Sequence, residues 1–237
     1  METCTITRYR REINMFLIKN YDAEKYNFCK ETEKFFDVNV GELNQLHIKR
    51  EDLLPPQELN FGNETKTEFH KLFYKNLNSN KGESIKNTYH NFIKDIIAPI
   101  FGRTFLYQKF PSFRVHIPND KAIHKWHYDS DDDHKHPDWE INFQVAMTNM
   151  FDSNATWIES VPGIKDFQPM ELKVGQFSIF NGNKLTHGNK PNVTNKTRVS
   201  MDFRVLPLDR YDASKSLESV TSNRKFTIGG YYNLYEI

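Results

Sequence analysis

The sequence predicts a mainly β protein with flanking helices, in the α+β class, on three observations. Residues 1–103 carry apolar side chains at helical spacing after one early strand. From residue 104 onward, short apolar or alternating runs are separated by turn residues, which is typical of a sandwich or a barrel. No repeat or low-complexity linker divides the two parts. We therefore expect one domain over residues 1–237, with a jelly-roll core at residues 104–237 buttressed by the N-terminal helices.

The helical part contains two amphipathic helices, preceded by a strand at residues 13–20. Their apolar faces comprise Phe69, Leu72, Phe73 and Leu77 in the first helix, and Ile85, Tyr89, Phe92, Ile93, Ile96 and Ile97 in the second. The turn between the helices is predicted at residues 78–82, and Pro99 is predicted to end the second helix. The aromatic side chains on these faces indicate core packing, with a ligand groove as the alternative.

The second part is predicted to be a series of strands. They cover residues 105–110, 112–117, 140–150, 155–159, 170–174, 176–180, 197–206 and 225–235. The last of these is predicted to be a final strand that covers the core, with a dimer edge as the alternative. The sequence therefore does not define the oligomeric state.

Composition excludes several classes of protein. The 32 basic and 31 acidic residues leave a net charge of +1, so the basic excess of a nucleic-acid-binding protein is absent. Cys4 and Cys29 are the only cysteines, which excludes a disulfide framework. The N-terminus does not resemble a signal peptide, and no apolar run approaches the ~20 residues of a membrane span. We expect a cytoplasmic protein without a nucleic-acid or membrane partner.

The stretch Trp126-His127-Tyr128-Asp129 predicts a metal site, which a lone downstream histidine, His187, completes. Two histidines and one carboxylate leave other coordination positions of an ion open, as a non-haem Fe(II) oxygenase requires. His187 opens a predicted strand after a hairpin-like turn, in which we expect Gly182 and Asn183 to adopt positive φ. Alone, a histidine at such a position is more often structural.

A second His-x-Asp pair, His136 and Asp138, competes with the first one. It lies inside the acidic segment 129–138, which reads DSDDDHKHPD, and Pro137 separates its members. This setting indicates a solvated loop, so we favour His127 and Asp129. Calcium capture at residues 131–133 is an alternative use of the acidic residues, although the bounded loop of a calcium site is absent.

The strand predicted at residues 197–206 has one polar face, which bears Arg198, Ser200, Asp202 and Arg204. Arg198 follows His187 at a distance where its guanidinium could hold the far carboxylate of 2-oxoglutarate by paired hydrogen bonds, with Ser200 beside it. This polar face could instead be exposed to solvent. If it faces a barrel interior, it is a polar cosubstrate site.

Other polar side chains on neighbouring strands are weaker candidates for the same site. Asn142 and Gln144 share a strand face and could contact 2-oxoglutarate or support the iron ligands, with an exposed sheet face as the alternative. The candidates for substrate contacts are Arg114, His116, Trp157 and Glu159. This number of polar groups indicates a polar substrate over a long acyl chain.

Residues 104–207 resemble the Fe(II)/2-oxoglutarate-dependent dioxygenases, in particular the phytanoyl-CoA-hydroxylase-like and streptomycin-biosynthesis-type branch. The resemblance rests on Trp-His-x-Asp, the distal histidine and an arginine two residues before a serine. It implies a double-stranded β-helix (cupin-like jelly roll), with His127, Asp129 and His187 as iron ligands. It also implies that Arg198 and Ser200 hold 2-oxoglutarate. The Pro-Gly-Ser-His turn frequent in phytanoyl-type members is replaced by SVPGIK at residues 160–165.

The resemblance implies an oxygenase that uses Fe(II), 2-oxoglutarate and O2 to hydroxylate a small molecule, releasing succinate and CO2. Desaturation, epimerisation and ring closure follow from the same chemistry, so the sequence does not define the product. Two alternatives are a protein side-chain hydroxylase and a cupin-like isomerase or binding module that holds metal without oxygenase activity.

Overall fold

A computed structural model describes residues 16–54, 67–119, 126–215, 217–219 and 225–237. The α-helices are α1 (Phe28–Phe36), α2 (Leu46–Lys49), α3 (Glu68–Leu77), α4 (Glu83–Phe92) and α5 (Ala98–Phe101), with a π-helical segment at Ile93–Ile97. The strands are β1 (Phe16–Asn20), β2 (Phe105–Gln108), β3 (Ser112–His116), β4 (Ile141–Ala146), β5 (Thr156–Ile158), β6 (Gln168–Met170), β7 (Gln176–Phe180), β8 (His187–Asn189), β9 (Arg198–Pro207) and β10 (Tyr232–Tyr235). The prediction of a mainly β protein with flanking helices is confirmed.

Both predicted amphipathic helices are present as α3 and α4, but the prediction that Pro99 ends the second one is wrong. The helical path continues from α4 through the π segment into α5, where Pro99 occupies one of the first two positions. Pro99 comes just after the π segment, where the regular α-helical hydrogen-bond pattern is already interrupted, so its missing N–H does not end the helical path. The path ends at Gly102, which has the left-handed φ of 59°.

The strands form two antiparallel sheets. The large sheet has the order β1-β7-β4-β9-β2-β10, and β3 also pairs with β9. The small sheet has the order β6-β5-β8. The ten-residue β9 is the organising strand, because it pairs with β4 on one side and with both β3 and β2 on the other.

Most predicted strands differ in their bounds, and the one predicted at 140–150 ends at Ala146. The strand expected at 170–174 is absent beyond Met170, because the chain turns at Gly175 (φ 85°), and Leu172 forms only a bridge to Met150. The last strand is confined to β10, since a turn containing Gly229 (φ 81°) precedes it. Residues 13–15 of the predicted early strand lie outside the described residues, and β1 covers the rest.

Both faces of β4 and β9 are buried. On one face, Phe143 and Phe203 stack with ring centroids 5.0 Å apart, and Tyr89 of α4 packs edge-on against Phe203 at 5.3 Å. The helices therefore cover the apolar face. The other face carries the polar residues of both strands, so the solvent-exposed alternative for the face of Arg198 and Arg204 is wrong.

No helix within the described ranges combines the length and apolar character that crossing a membrane requires.

Candidate metal centre

His127 and His187 are held side by side by backbone pairing between segments distant in sequence. His127 donates its N–H to the His187 carbonyl over 3.1 Å, and His187 donates to the His127 carbonyl over 2.8 Å. Their ring centroids are 4.6 Å apart. Asp129 is placed by its own N–H, which donates to the Gly182 carbonyl over 2.8 Å. Backbone hydrogen bonds therefore bring the three residues of the predicted metal site together.

The Asp129 carboxylate has one saturated oxygen and one unpartnered oxygen. Its Oδ2 accepts hydrogen bonds from Asn142 Nδ2 (2.6 Å) and from Nε and Nη2 of Arg204 (3.0 and 2.9 Å). Its Oδ1 is buried and has no hydrogen-bond partner among the described residues. That oxygen lies 3.6 Å from Nε2 of both His127 and His187. One ligand atom from each residue thus converges on a common point, within 4.8 Å of the other two.

The protonation states of these residues suit a divalent cation. Burial alone would raise the pKa of Asp129, but Arg204 and His127 hold it well below its ordinary value. Burial and the neighbouring His127 lower the pKa of His187 to about 4. His187 Nδ1 donates to the Leu185 carbonyl over 3.0 Å, which leaves the Nε2 lone pair available. An ionised carboxylate and a neutral imidazole are the metal-binding forms, so the donor set fits Fe(II).

Two positions around the centre require glycine, because neighbouring side chains approach the backbone there too closely for a Cβ. A Cβ on Gly182 would lie 2.6–2.8 Å from the amide atoms of Asn142, and a Cβ on Gly188 would lie 3.0 Å from the ring of Trp126. The expectation of positive φ at Gly182 and Asn183 is wrong, because neither residue adopts it. Gly182 is needed for space beside Asn142, and its backbone conformation is ordinary.

Arg198 is the largest of the fully buried side chains, and it has only neutral partners in the described parts of the chain. Its Nη1 donates to Ser200 Oγ over 3.2 Å and its Nη2 to Asn189 Oδ1 over 3.0 Å, while Nε has no partner there. Burial and the like charge of Arg114 lower the pKa of Arg198 to about 10, although Asp202 acts in the opposite direction. A guanidinium in this state is expected to attract an anion, because a buried charge is costly unless it is paired.

A chain of charged side chains on the polar face of β9 lies beside the carboxylate of Asp129. Arg204 contacts Asp129 as described and donates through Nη1 to Asp202 Oδ2 over 2.9 Å. Arg114 of β3 donates to both oxygens of Asp202, over 2.5 and 3.2 Å. Arg204 and Asp202 lie on the predicted polar face, and their contacts with Asp129 and Arg114 were not predicted. The period of two was the available signal, and it does not identify the contact with Asp129.

Asn142 and Gln144 of β4 lie on the same polar face of the large sheet as these charged side chains. Gln144 Nε2 donates to Thr156 Oγ1 (3.1 Å) and Ser200 Oγ (3.4 Å). The amide oxygens of Asn142 and Gln144 are buried and lack partners in the described ranges. A cavity between these groups is lined by residues of both sheets: Arg114, His127, Asn142, Gln144, Thr156, Phe180, His187, Gly188, Asn189, Arg198, Asp202 and Arg204. The exposed-face alternative for Asn142 and Gln144 is therefore wrong.

Of the four residues expected to contact substrate, one lines the cavity and three do not. Arg114 lines the cavity, and His116 is buried opposite Arg198 in the β3–β9 register without lining it. Trp157 lies outside the cavity lining, where the Lys190 ammonium is 3.2 Å from its ring centroid. Glu159 is also outside it.

Glu159 instead organises a loop. Its carboxylate accepts backbone N–H groups from Thr186 (2.6 Å), Gly163 (3.0 Å) and Lys165 (3.1 Å). These bonds connect the segment after β5 to the residue preceding His187. The contacts of Glu159 are therefore those of a structural residue.

The competing His136–Asp138 pair does not form a metal cluster. His136 Nδ1 lies 2.7 Å from Glu140 Oε2, and Tyr232 donates to the other oxygen of this buried carboxylate. In the described part of the chain, His127, Asp129 and His187 form the single group of three or more such side chains that could hold an ion. His134 stacks on His127 with centroids 4.2 Å apart and is held by Asp131.

The chain is similar in sequence to a protein of antibiotic biosynthesis. No protein-family model matches the chain. The streptomycin biosynthesis protein StrG of Streptomyces griseus is 30% identical over 167 residues, which cover 70% of this chain and 76% of StrG.

Solved structures that align with this chain share little sequence with it. The non-haem alpha-ketoglutarate-dependent epimerase SnoN from nogalamycin biosynthesis aligns with a TM-score of 0.51 and 14% identity. The alignment covers 86% of this chain and 81% of the SnoN chain. The apo form of the non-haem monooxygenase ThoJ has a TM-score of 0.48 and 14% identity, covering 96% and 85%. The likeness to SnoN shows the fold, and the extent of the match to StrG shows the family. The chain belongs to the family of the streptomycin biosynthesis protein StrG.

Proposed function

We propose that this protein is a non-haem Fe(II)- and 2-oxoglutarate-dependent oxygenase that hydroxylates a polar small molecule. The observation that carries the proposal is the buried guanidinium of Arg198, which has no carboxylate partner among the described residues and lines the same cavity as His127 and His187. Fe(II) and 2-oxoglutarate, when bound, supply the oxidising chemistry, in which O2 is consumed and succinate and CO2 are released with the hydroxylated product.

His127, His187 and Asp129 would hold the metal through two Nε2 atoms and Oδ1. The hydrogen bond from His187 to the Leu185 carbonyl orients its imidazole, and stacking of His134 restricts that of His127. Three protein ligands leave the remaining positions of the ion open for the cosubstrate and O2.

Arg198 and Ser200 would bind the distal carboxylate of 2-oxoglutarate. Paired N–H groups of a guanidinium match a carboxylate in geometry and charge, and the Ser200 hydroxyl is already 3.2 Å from Arg198 Nη1. Gln144 contacts Ser200 and has an unpartnered amide oxygen, which makes it a further candidate contact. Asn142 contacts the metal ligand Asp129 directly, so its role would be orientation of that carboxylate.

Two features support a polar small-molecule substrate. The cavity lining is rich in charged and amide side chains, and Arg114 among them would be a contact for a polar substrate. The relative StrG is named for streptomycin biosynthesis, which favours a small molecule over a protein side chain.

We further propose that the two sheets form a jelly roll and that residues 1–237 act as one catalytic domain. The polar faces of both sheets contribute to the cavity, and one hydrophobic core contains residues of the helices and of the large sheet.

The test is succinate formation from 2-oxoglutarate under air with added Fe(II), which does not require the substrate to be known. We expect slow Fe(II)- and O2-dependent succinate release by the wild type, and its loss in Asp129→Ala and Arg198→Met. In Arg198→Met, Mn²⁺ affinity should be retained while the Kd for 2-oxoglutarate rises at least about tenfold, because a charge-assisted pair is lost. Arg103→Met is the matched control, since Arg103 pairs with Asp209 at the surface.

Tight coupling to substrate can suppress this background reaction, so anaerobic binding of 2-oxoglutarate to the Mn²⁺-loaded protein is measured in parallel. Binding that depends on Arg198 supports the proposal. A wild type that binds metal but neither binds nor consumes 2-oxoglutarate contradicts it and favours a metal-binding protein without oxygenase activity.

A further inference from the structure

We propose that Arg204 and Asn142 act as a clamp that restricts Asp129 to a single ligating oxygen, and that they form a latent carboxylate site when the Asp129 side chain is removed. The inference rests on the metal site of the proposed function. It assigns positioning roles to two residues that would not touch the ion.

The hydrogen bonds to Asp129 distinguish its two oxygens. Oδ2 accepts three N–H groups, two from Arg204 and one from Asn142 at 2.6 Å, which is more than its two lone pairs can fully satisfy. Oδ1 accepts none within the described part of the chain and faces both histidines. Rotating the carboxylate to present both oxygens to a metal would break these charge-assisted bonds.

Arg204 is itself locked in place. Its Nη1 donates to Asp202, which Arg114 holds from β3 through both carboxylate oxygens. Asn142 is confined by Gly182, where a Cβ would lie 2.6 Å from its Nδ2. The clamp is therefore preorganised by three strands and a turn, so its donors would point at the same place whether or not a carboxylate is attached to residue 129.

The clamp has a consequence for chemistry at the metal. Two imidazoles and one carboxylate oxygen leave the other positions of the ion open, whereas a second carboxylate oxygen would occupy one more. By keeping Oδ2 away from the ion, Arg204 and Asn142 would preserve the position that a further ligand needs.

The experiment measures Mn²⁺ affinity by titration calorimetry on the full chain, with folding monitored by circular dichroism. We expect Arg204→Met to weaken Mn²⁺ binding about 10- to 100-fold, the range for residues that orient a metal ligand, and Arg204→Lys to recover part of it. Arg103→Met should be unchanged. Asp129→Gly should lose most Mn²⁺ affinity and regain it with added formate, since Arg204 and Asn142 can hold a free carboxylate beside the two histidines.

Formate should fail to restore Mn²⁺ binding in Asp129→Gly/Arg204→Met. This double variant removes both members of one buried ion pair and keeps the Arg114–Asp202 pair, so it retains a balanced set of charges even if Arg204→Met alone unfolds. Pivalate, a carboxylate too bulky for the gap, is the size control and should not restore binding in either variant.

Equal formate rescue in the single and double variants, or no rescue in a folded Asp129→Gly protein, overturns the clamp. Absence of Mn²⁺ binding in the wild type would instead contradict the proposed function, so the two failures are distinguishable.

Discussion

At the scale of a single residue, Gly182 supports the candidate metal centre in two ways. Its carbonyl accepts the N–H of Asp129, and its missing side chain leaves room for the amide of Asn142. Asn142 in turn donates to the Asp129 carboxylate. One glycine thus determines both where the backbone of the ligand lies and how closely its hydrogen-bond donor can approach.

Gly182→Ala is expected to displace Asn142 and weaken Mn²⁺ affinity roughly tenfold, because the added Cβ would meet amide atoms at 2.6–2.8 Å. Titration calorimetry gives the affinity and thermal unfolding gives the stability. Gly41→Ala is the control: nothing lies within 4 Å of its Cβ, but its φ of 85° makes alanine cost about 1 kcal/mol. Gly41→Ala should lower the melting temperature and leave Mn²⁺ affinity unchanged. A Gly182→Ala protein that keeps wild-type Mn²⁺ affinity would contradict this role of Gly182.

At the scale of an element, the two faces of β9 have different roles: one packs in the core and the other faces the cavity. Val199, Met201, Phe203 and Val205 belong to the core shared with the helices, whereas Arg198, Asp202 and Arg204 line the cavity. Because neighbouring strands pair in register, Asn142 and Gln144 lie opposite Arg204 and Asp202 on the cavity side. Substitutions on the two faces should therefore have different effects.

Phe203→Ala is expected to lower the free energy of unfolding by about 3–5 kcal/mol, since it removes a fully buried ring that stacks on Phe143. Urea unfolding measures this change. Phe151→Ala, at a ring that is 38% exposed, should change stability by no more than about 0.5 kcal/mol. The folded fraction of Phe203→Ala should keep wild-type affinity for Mn²⁺, and a large loss of affinity would show that the two faces are not separable.

Local patterns in the sequence predicted a large part of these elements and of the site. The period of two identified the polar face of β9, and helical spacing identified α3 and α4, because both depend on residues near one another in sequence. The contact between Arg204 and Asp129 depends on pairing of distant strands, which no local pattern encodes. Glu159 carried the right chemistry for a site, yet the loop that folds back onto its carboxylate gives it structural partners. The helix through Pro99 required a π segment that spacing does not reveal.

At the scale of the whole molecule, the cavity concentrates charge inside the protein. Burial alone would raise the pKa of Asp202, but Arg114 and Arg204 lower it to about 2, below the ordinary 3.8. A lowered pKa in the folded state stabilises the protein when the carboxylate is ionised. This contribution, of about 2 kcal/mol, is present above pH 3.8 and is lost as the pH falls towards about 2.

Asp202→Asn is accordingly expected to destabilise the protein at neutral pH and to reduce the dependence of the unfolding free energy on pH between 3.8 and about 2. Urea titrations at a series of pH values measure both effects. Asp209→Asn is the matched control, because Asp209 pairs with Arg103 at the surface. Identical pH slopes for wild type and Asp202→Asn would show that Asp202 does not contribute to acid unfolding.

We expect that selection for ligand binding retains Arg198, although this residue lowers the stability of the protein. An apolar side chain of similar size would raise stability at a buried position where the guanidinium has no carboxylate partner in the described ranges. Stabilising substitutions of this kind are readily found by mutation. A lineage released from the need to bind a dicarboxylate would therefore lose Arg198 early, while backbone pairing kept the two histidines adjacent. Under the proposed function, retention of this arginine among descendants of a common ancestor would mark the copies that still bind the cosubstrate.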